Sequence, residues 1–223
     1  MKILYVTATA AEAVALKNVK DLVPDGNKFS IRSLEIDLLI GGIGTVSTIF
    51  EMSRWISAHG KPDIAINGGI AGSFTDNHLI GDVVLPVNEC FADLGIEDHD
   101  DFKTLWEAGL TDADAFPFVK GSLPADEKIA SGFSFLKHVK SITVNTASGS
   151  GRSIERLIRK YNADIETMEG ASFFYLCRRE RIPFLAIRAI SNKIEPRNRD
   201  NWNIRLALDN LTKRLQDVFL TFE

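Results

Sequence analysis

Apolar positions along the chain follow two rhythms. Short aliphatic and β-branched runs alternate with longer stretches in which apolar residues recur at helical spacing. Residues 2–7, 64–67, 82–87, 141–146 and 184–191 read as buried strands, with 89–92 continuing the sheet and a short strand near Ile165. Residues 28–33 and 36–41 read as a closely spaced antiparallel pair. Helices are expected over 11–22, ended by Pro24-Asp25-Gly26, and over 45–59, where Ile49, Met52, Trp55 and Ile56 share a face. Further helices are expected from a loop at 147–151 through Tyr161, over 169–180, and over about 201–222. In the last, Ile204, Leu208, Leu211, Leu215, Val218, Phe219 and Phe222 mark the core face, and Asp200 or Asn201 caps the start. Residues 94–124 are irregular and read as a surface excursion. With no internal repeat and no low-complexity linker, the alternation predicts one α/β domain over 1–223 built on a mixed sheet.

Composition narrows the classes. The 223 residues are 45% hydrophobic and 25% charged, enough chain to bury a core without disulfides or metals. A net charge of −4 argues against a nucleic-acid partner. No apolar run is long enough for a membrane-spanning helix. The apolar stretch 3–6 before Ala8-Thr9-Ala10 is short and soon followed by Glu12, unlike a signal peptide. Cys90 and Cys177 lie far apart and read as core thiols, which suits a reducing, cytoplasmic compartment. Four scattered histidines show no metal-ligand spacing, and Glu97-Asp98-His99-Asp100-Asp101 reads as a solvated acidic loop.

Three glycine-rich segments each follow a predicted strand: Gly41-Gly42-Ile43-Gly44, Gly68-Gly69-Ile70-Ala71-Gly72 and Ser148-Gly149-Ser150-Gly151. Each alone is consistent with a tight turn, but three together point to a small-molecule cleft at the strand ends. The first is half a dinucleotide fingerprint, lacking the third glycine and not on the first strand. There is no P-loop, so no nucleotide cofactor is expected, nor any metal. Glu12, Glu166 and Glu169 stand at strand-to-helix junctions, where a carboxylate serves either as a first-turn cap or as acid–base machinery. Arg178, Arg179 and Arg181 read as a solvated helix end. Arg197 and Arg199, just beyond a strand, suit either a structural salt bridge or the grip of a carboxylate.

Thr7-Ala8-Thr9 leading to Glu12, the first two glycine segments, Glu166-Thr167-Met168-Glu169-Gly170-Ala171 and Arg188-Ala189-Ile190-Ser191-Asn192 occur in a familiar order. Together they resemble the purine nucleoside phosphorylase/nucleosidase superfamily, and within it the futalosine hydrolases of an alternative menaquinone pathway. The resemblance implies a three-layer α/β/α fold with a central mixed, partly barrel-like sheet, a homo-oligomer, and a small nucleoside substrate. It implies cleavage of an N-glycosidic bond through an oxocarbenium-like ribose. Glu12 then matches the base that deprotonates water, Glu169 the carboxylate on the ribose hydroxyls, and Met168 the ribose face. Ile70, Ala71, Gly72 and Thr167 complete the implied substrate contacts.

Position 192 departs from the adenine-releasing methylthioadenosine/S-adenosylhomocysteine nucleosidases, which carry an aspartate there. An amide offers a donor and an acceptor, which suits O6 and a protonated N7 of a 6-oxopurine such as hypoxanthine. The related phosphorylases hold phosphate with a first-loop arginine, and residues 7–15 contain no Arg or Lys. Water is therefore the expected co-substrate, and Arg197 or Arg199 the expected partner of futalosine's carboxyphenyl tail. The competing readings are an adenine nucleosidase, a purine nucleoside phosphorylase and a non-catalytic purine nucleoside binding module.

Overall fold

The computed structural model describes residues 1–99 and 101–222. Its strands are β1 Lys2–Thr7, β2 Val23–Asp25, β3 Lys28–Ile31, β4 Leu34–Ile40, β5 Ile64–Ser73, β6 Val83–Glu89, β7 Gly95–Asp98, β8 Asp101–Thr104, β9 Leu123–Pro124, β10 Lys137–Thr143, β11 Ile165–Thr167 and β12 Phe184–Lys193. Its helices are α1 Ala10–Lys17, α2 Thr45–His59, α3 Glu127–Ser131, α4 Gly151–Tyr161, α5 Gly170–Glu180 and α6 Ile204–Thr221.

The main sheet runs β11-β10-β6-β12-β5-β1-β4-β3-β2. It closes on itself because β11 also pairs antiparallel with the end of β5, through Ile165 with Ser73 and Glu166 with Gly72. Five strands, β5, β12, β6, β10 and β11, thus form a mixed barrel from which β1 to β4 extend as a wing. β1 shows why the sheet is sandwiched. Ile3 and Tyr5 enter the core on the α1 and α6 side, while Leu4 and Val6 enter the core holding Met52, Phe173 and Phe174 of α2 and α5. A strand buried on both faces reads as a continuous apolar run, as this one does. The result is the expected three-layer α/β/α arrangement around a partly barrel-like sheet.

Several boundaries differ from the sequence reading. α1 stops at Lys17, five residues early, because Asn18 caps it and Asp21 takes a left-handed backbone. Residues 68–72 are not a loop but the middle of β5. These glycines were read as turn punctuation, whereas the chain there is extended and needs small residues for close packing. β10 starts at Lys137, since its exposed Lys137, His138 and Lys140 mask the strand pattern. The irregular segment contains the β7–β8 hairpin, which takes up most of the acidic run; Asp100 lies outside the described residues. Arg178 is not solvated: its guanidinium donates to the carbonyls of Pro117 and Pro124, each at 2.8 Å, and so clamps this segment to α5. α6 is capped by Asn203, whose Oδ1 accepts Leu206 N–H at 3.0 Å, and Ile204 is exposed while Ala207 takes the core position. Cys177 is buried as expected; Cys90 is half-buried.

A Cβ on Gly68 would overlap the buried phenol of Tyr5 on the neighbouring strand. Gly68→Ala is therefore expected to cost about 2 kcal/mol of stability, read as a lower urea midpoint.

Candidate active site

The carboxyl ends of β1, β5, β11 and β12 converge on a cavity of about 500 Å³. All ten sequence-predicted site residues line it: Glu12, Ile70, Ala71, Gly72, Thr167, Met168, Glu169, Asn192, Arg197 and Arg199. Thr9, Ile43, Ser148, Glu166, Ile194, Trp202 and Ile204 share the lining.

Glu12 is both a cap and a cavity residue. Thr9 and Glu12 form a reciprocal capping box at the start of α1, as a Thr followed three positions on by Glu predicts. The carboxylate accepts Thr9 N–H at 3.1 Å, the Thr9 hydroxyl at 3.0 Å and, from across the sheet, Ile70 N–H at 3.0 Å. Three of its roughly four lone-pair sites are thus occupied, leaving one for a water or substrate. A Cβ on Gly69 would come within 2.7 Å of Oε1, so the glycine lets β5 approach this carboxylate.

Glu169 faces Glu12 from the start of α5. Its Oε1 accepts Gly44 N–H at 2.9 Å, and the left-handed turn through Gly42 and Gly44 aims that amide. Burial raises its carboxyl above the ordinary range; Gly44 N–H and the positive charge of Arg188 oppose this, and the charge of Glu12 adds to it. Asn192 sits at the end of β12, past a bulge at Ser191. Its Nδ2 donates to Lys193 O at 3.0 Å and its Oδ1 accepts the Ser191 hydroxyl at 2.8 Å. A carbonyl can only accept, so the nitrogen must lie on that side. One amide hydrogen and one lone pair remain for the cavity.

Arg197 and Arg199 are exposed at the rim, with guanidinium carbons 5.7 and 6.0 Å from the Trp202 ring centroid. Among the described residues neither enters a salt bridge, so of the two readings left open the structural pair is not what is seen.

Two buried groups outside the cavity lining were given no role in the sequence reading, although Arg188 opens one of its motifs. Arg188, 2% exposed, donates to the Asn67 carbonyl at 2.7 Å and to the Asn67 side chain. Glu89 is fully buried; Thr143 Oγ1 donates to its Oε2 at 2.9 Å while accepting Ala171 N–H at 2.7 Å. Thr167 joins this network 3.5 Å from Oε1 and accepts Gly170 N–H at 3.2 Å. Glu89 thus anchors, through two hydroxyls, the helix start that carries Glu169. The signal for both was a single charge inside an apolar strand, as in Phe184-Leu185-Ala186-Ile187-Arg188.

Residues 2–222 match the family model of the phosphorylase superfamily. The chain belongs to this superfamily. It is 30% identical over 225 residues to futalosine hydrolase of Acidothermus cellulolyticus, covering 98% of this chain and 89% of that one. It is 27% identical to a 5'-methylthioadenosine/S-adenosylhomocysteine nucleosidase of Buchnera aphidicola, over 72% of this chain and 68% of that one. Its fold overlays the nucleosidase of S. pneumoniae with a TM-score of 0.82 at 19% identity, covering both chains fully. It overlays futalosine hydrolase of Helicobacter pylori with a TM-score of 0.79 at 18% identity, over 98% and 97% of the two chains.

Burial pushes the Glu89 carboxyl from its ordinary 4.5 up to about 7, against the neighbouring hydroxyls and Arg188. The folded chain keeps a proton that the unfolded chain releases. Stability from this group is therefore complete below about pH 4.5 and is lost as pH rises through about 7, to the extent of about 3 kcal/mol. Urea unfolding between pH 5 and 8 should show this decline, and Glu89→Gln, which cannot titrate, should flatten it.

Proposed function

We propose that this protein hydrolyses the N-glycosidic bond of futalosine, releasing hypoxanthine and dehypoxanthine futalosine, as a step of menaquinone biosynthesis in the cytoplasm. The observation that carries the reading is the Asn192 amide, oriented by Lys193 O and Ser191 so that one donor and one acceptor meet the cavity. Those match O6 and a protonated N7 of a 6-oxopurine. The relatives named futalosine hydrolase support it, and those named nucleosidase support the wider class.

In this reading the base leaves with the electron pair of its bond to the anomeric carbon, and positive charge develops on the ribose. Glu169 accepts hydrogen bonds from the ribose hydroxyls and stabilises that charge, with Met168 against the ribose face. Glu12 takes a proton from the water whose oxygen joins the anomeric carbon. An amide cannot supply the proton on N7, so it comes from solvent. Trp202 with Arg197 and Arg199 offers an aromatic surface and two cations for the carboxyphenyl tail. The residues around Glu12 support water over phosphate, since no cation lies in 7–15. Exposed Val46 and Phe50 on α2, near the cavity residue Ile43, support a homo-oligomer.

Incubated with futalosine, inosine and methylthioadenosine, with and without phosphate, the protein should release hypoxanthine from futalosine independently of phosphate. Adenine release or a phosphate requirement, read by chromatography of the base, would overturn the substrate or the co-substrate respectively. No release at all would favour the binding module. Asn192→Asp should lower the preference for futalosine over methylthioadenosine by about tenfold or more, the scale of one reversed hydrogen bond to a charged group. An unchanged kcat/KM ratio would remove the amide from base selection.

A further inference from the structure

Asn145 follows the end of β10, outside the cavity lining, and joins three separate segments. Its backbone N–H donates to Asp93 Oδ2 at 2.5 Å and its Nδ2 to Asp93 Oδ1 at 3.2 Å. Thr45 Oγ1 donates to its Oδ1 at 2.7 Å. One carboxylate thus takes both N–H groups of residue 145, a charge-assisted pair that fixes the side chain. An ionised carboxylate can only accept, so the amide nitrogen must face Asp93 and the oxygen must face Thr45.

What Thr45 adjoins gives this tie its importance. Thr45 opens α2, and the preceding turn runs through Gly42 and Gly44 at φ of +80° and +87°. Glycine has the widest backbone freedom of any residue, so such a turn has little preference of its own. The helix start has no side-chain cap either, because its N-cap is Gly44. The Gly44 carbonyl is held from within α2, by Thr48 N–H at 3.2 Å and the Thr48 hydroxyl at 2.9 Å. The Gly44 N–H is the group that meets Glu169. Donor and acceptor reach each other from different parts of the sheet: Gly44 from the wing strand β4, Glu169 from the barrel strand β11. Met52 of α2 packs with Phe173 and Phe174 of α5, but apolar contact is non-directional and does not orient a glycine amide. The bond from Thr45 to Asn145 does fix direction, and it fixes it against β10, the strand that carries β11.

We propose that Asn145 is a positioning residue: through Thr45 it holds the start of α2 so that the Gly44 N–H stays aimed at the Glu169 carboxylate. What that carboxylate does for a substrate rests on the reading of Glu169 given above; how it is held does not. Glu169 is also faced by Glu12 of α1 and Arg188 of β12, and of the two backbone donors that favour its charge Gly44 outweighs Met168. Weakening the Gly44 bond therefore raises the pH at which Glu169 ionises.

The test follows the Gly44 amide of the full chain by glycine-selective 15N NMR through a pH titration, without substrate. In the wild type the signal should follow Glu169, and Glu169→Gln should abolish its titration. Thr45→Val and Asn145→Ala should each move the midpoint to higher pH. Each should also speed exchange of the Gly44 amide hydrogen about fivefold, the scale of one neutral hydrogen bond. Thr45→Ser, which keeps the hydroxyl, should behave as wild type, and the double variant should add nothing to either single one. With futalosine, the same two variants should lose about fivefold in kcat/KM, most on the acid side. A Gly44 midpoint and exchange rate unchanged in Asn145→Ala, with only the urea midpoint lowered, makes Asn145 a tie between loops and overturns the proposal. A wild type that releases no base overturns the futalosine reading alone, because the Gly44 signal decides the positioning role without substrate.

Discussion

The pairing of Ile165 with Ser73 and of Glu166 with Gly72 turns an open twisted sheet into a closed one. Without it, Thr167-Met168-Glu169 would follow an edge strand, tied to β12 and β1 only by way of β10 and β6. Closure asks much of β5, which pairs with β1 through Ile64–Asn67, with β12 along its whole length, and with β11 at its end. Strands turn such corners at glycines and bulges. Here Gly68, Gly69 and Gly72 lie in β5, and the register shift at Ser191 lies in β12. The same glycines let Tyr5, Glu12 and Asn192 approach the strand, so the residues that bend the sheet also make room for the site.

Closing the sheet also buries charge. Arg188 is nearly inaccessible, and an uncompensated cation at such depth would cost several kcal/mol. Its positive field lowers the carboxyls of both Glu89 and Glu169, which burial alone would raise further. Around Glu89, two threonine hydroxyls pass hydrogen bonds from the first amides of α5 down to the carboxyl. A helix N-terminus favours negative charge, so helix, hydroxyls and arginine form one mutually supporting set. Removing a member would shift the helix start as well as the electrostatics, and Glu169 stands at that start.

What was legible in the sequence follows from which groups carry side-chain identity. β1 and α2 were placed to the residue because each is a clean periodic pattern with a clear end. That the ten residues would gather around one cavity was legible because the ordered motifs of a known superfamily hold side chains at strand ends, and the topology brings those ends together. The donors that fix Glu12 and Glu169 were not, because Ile70 N–H and Gly44 N–H are backbone groups present at every position. Glycines in β5 were misread because glycine marks turns and close approach alike, and only the partner across the strand tells them apart. Arg178 was misread for a related reason: its partners are carbonyls of Pro117 and Pro124, more than fifty residues away.

Position 192 shows how much of the chemistry is set by that surrounding backbone. The carbonyl of Lys193 faces the side chain of residue 192 and has lone pairs only. An amide satisfies it with a hydrogen it already owns, and stays neutral at any pH the fold survives. A carboxylate in the same rotamer would set oxygen against oxygen, and holding a proton is what would relieve the contact. The backbone arrangement that makes asparagine a fixed donor–acceptor pair would therefore make aspartate an acid. In the proposed reading, one atom at one strand end separates reading a base from protonating it, and the neighbouring Lys193 carbonyl is what gives that atom its meaning.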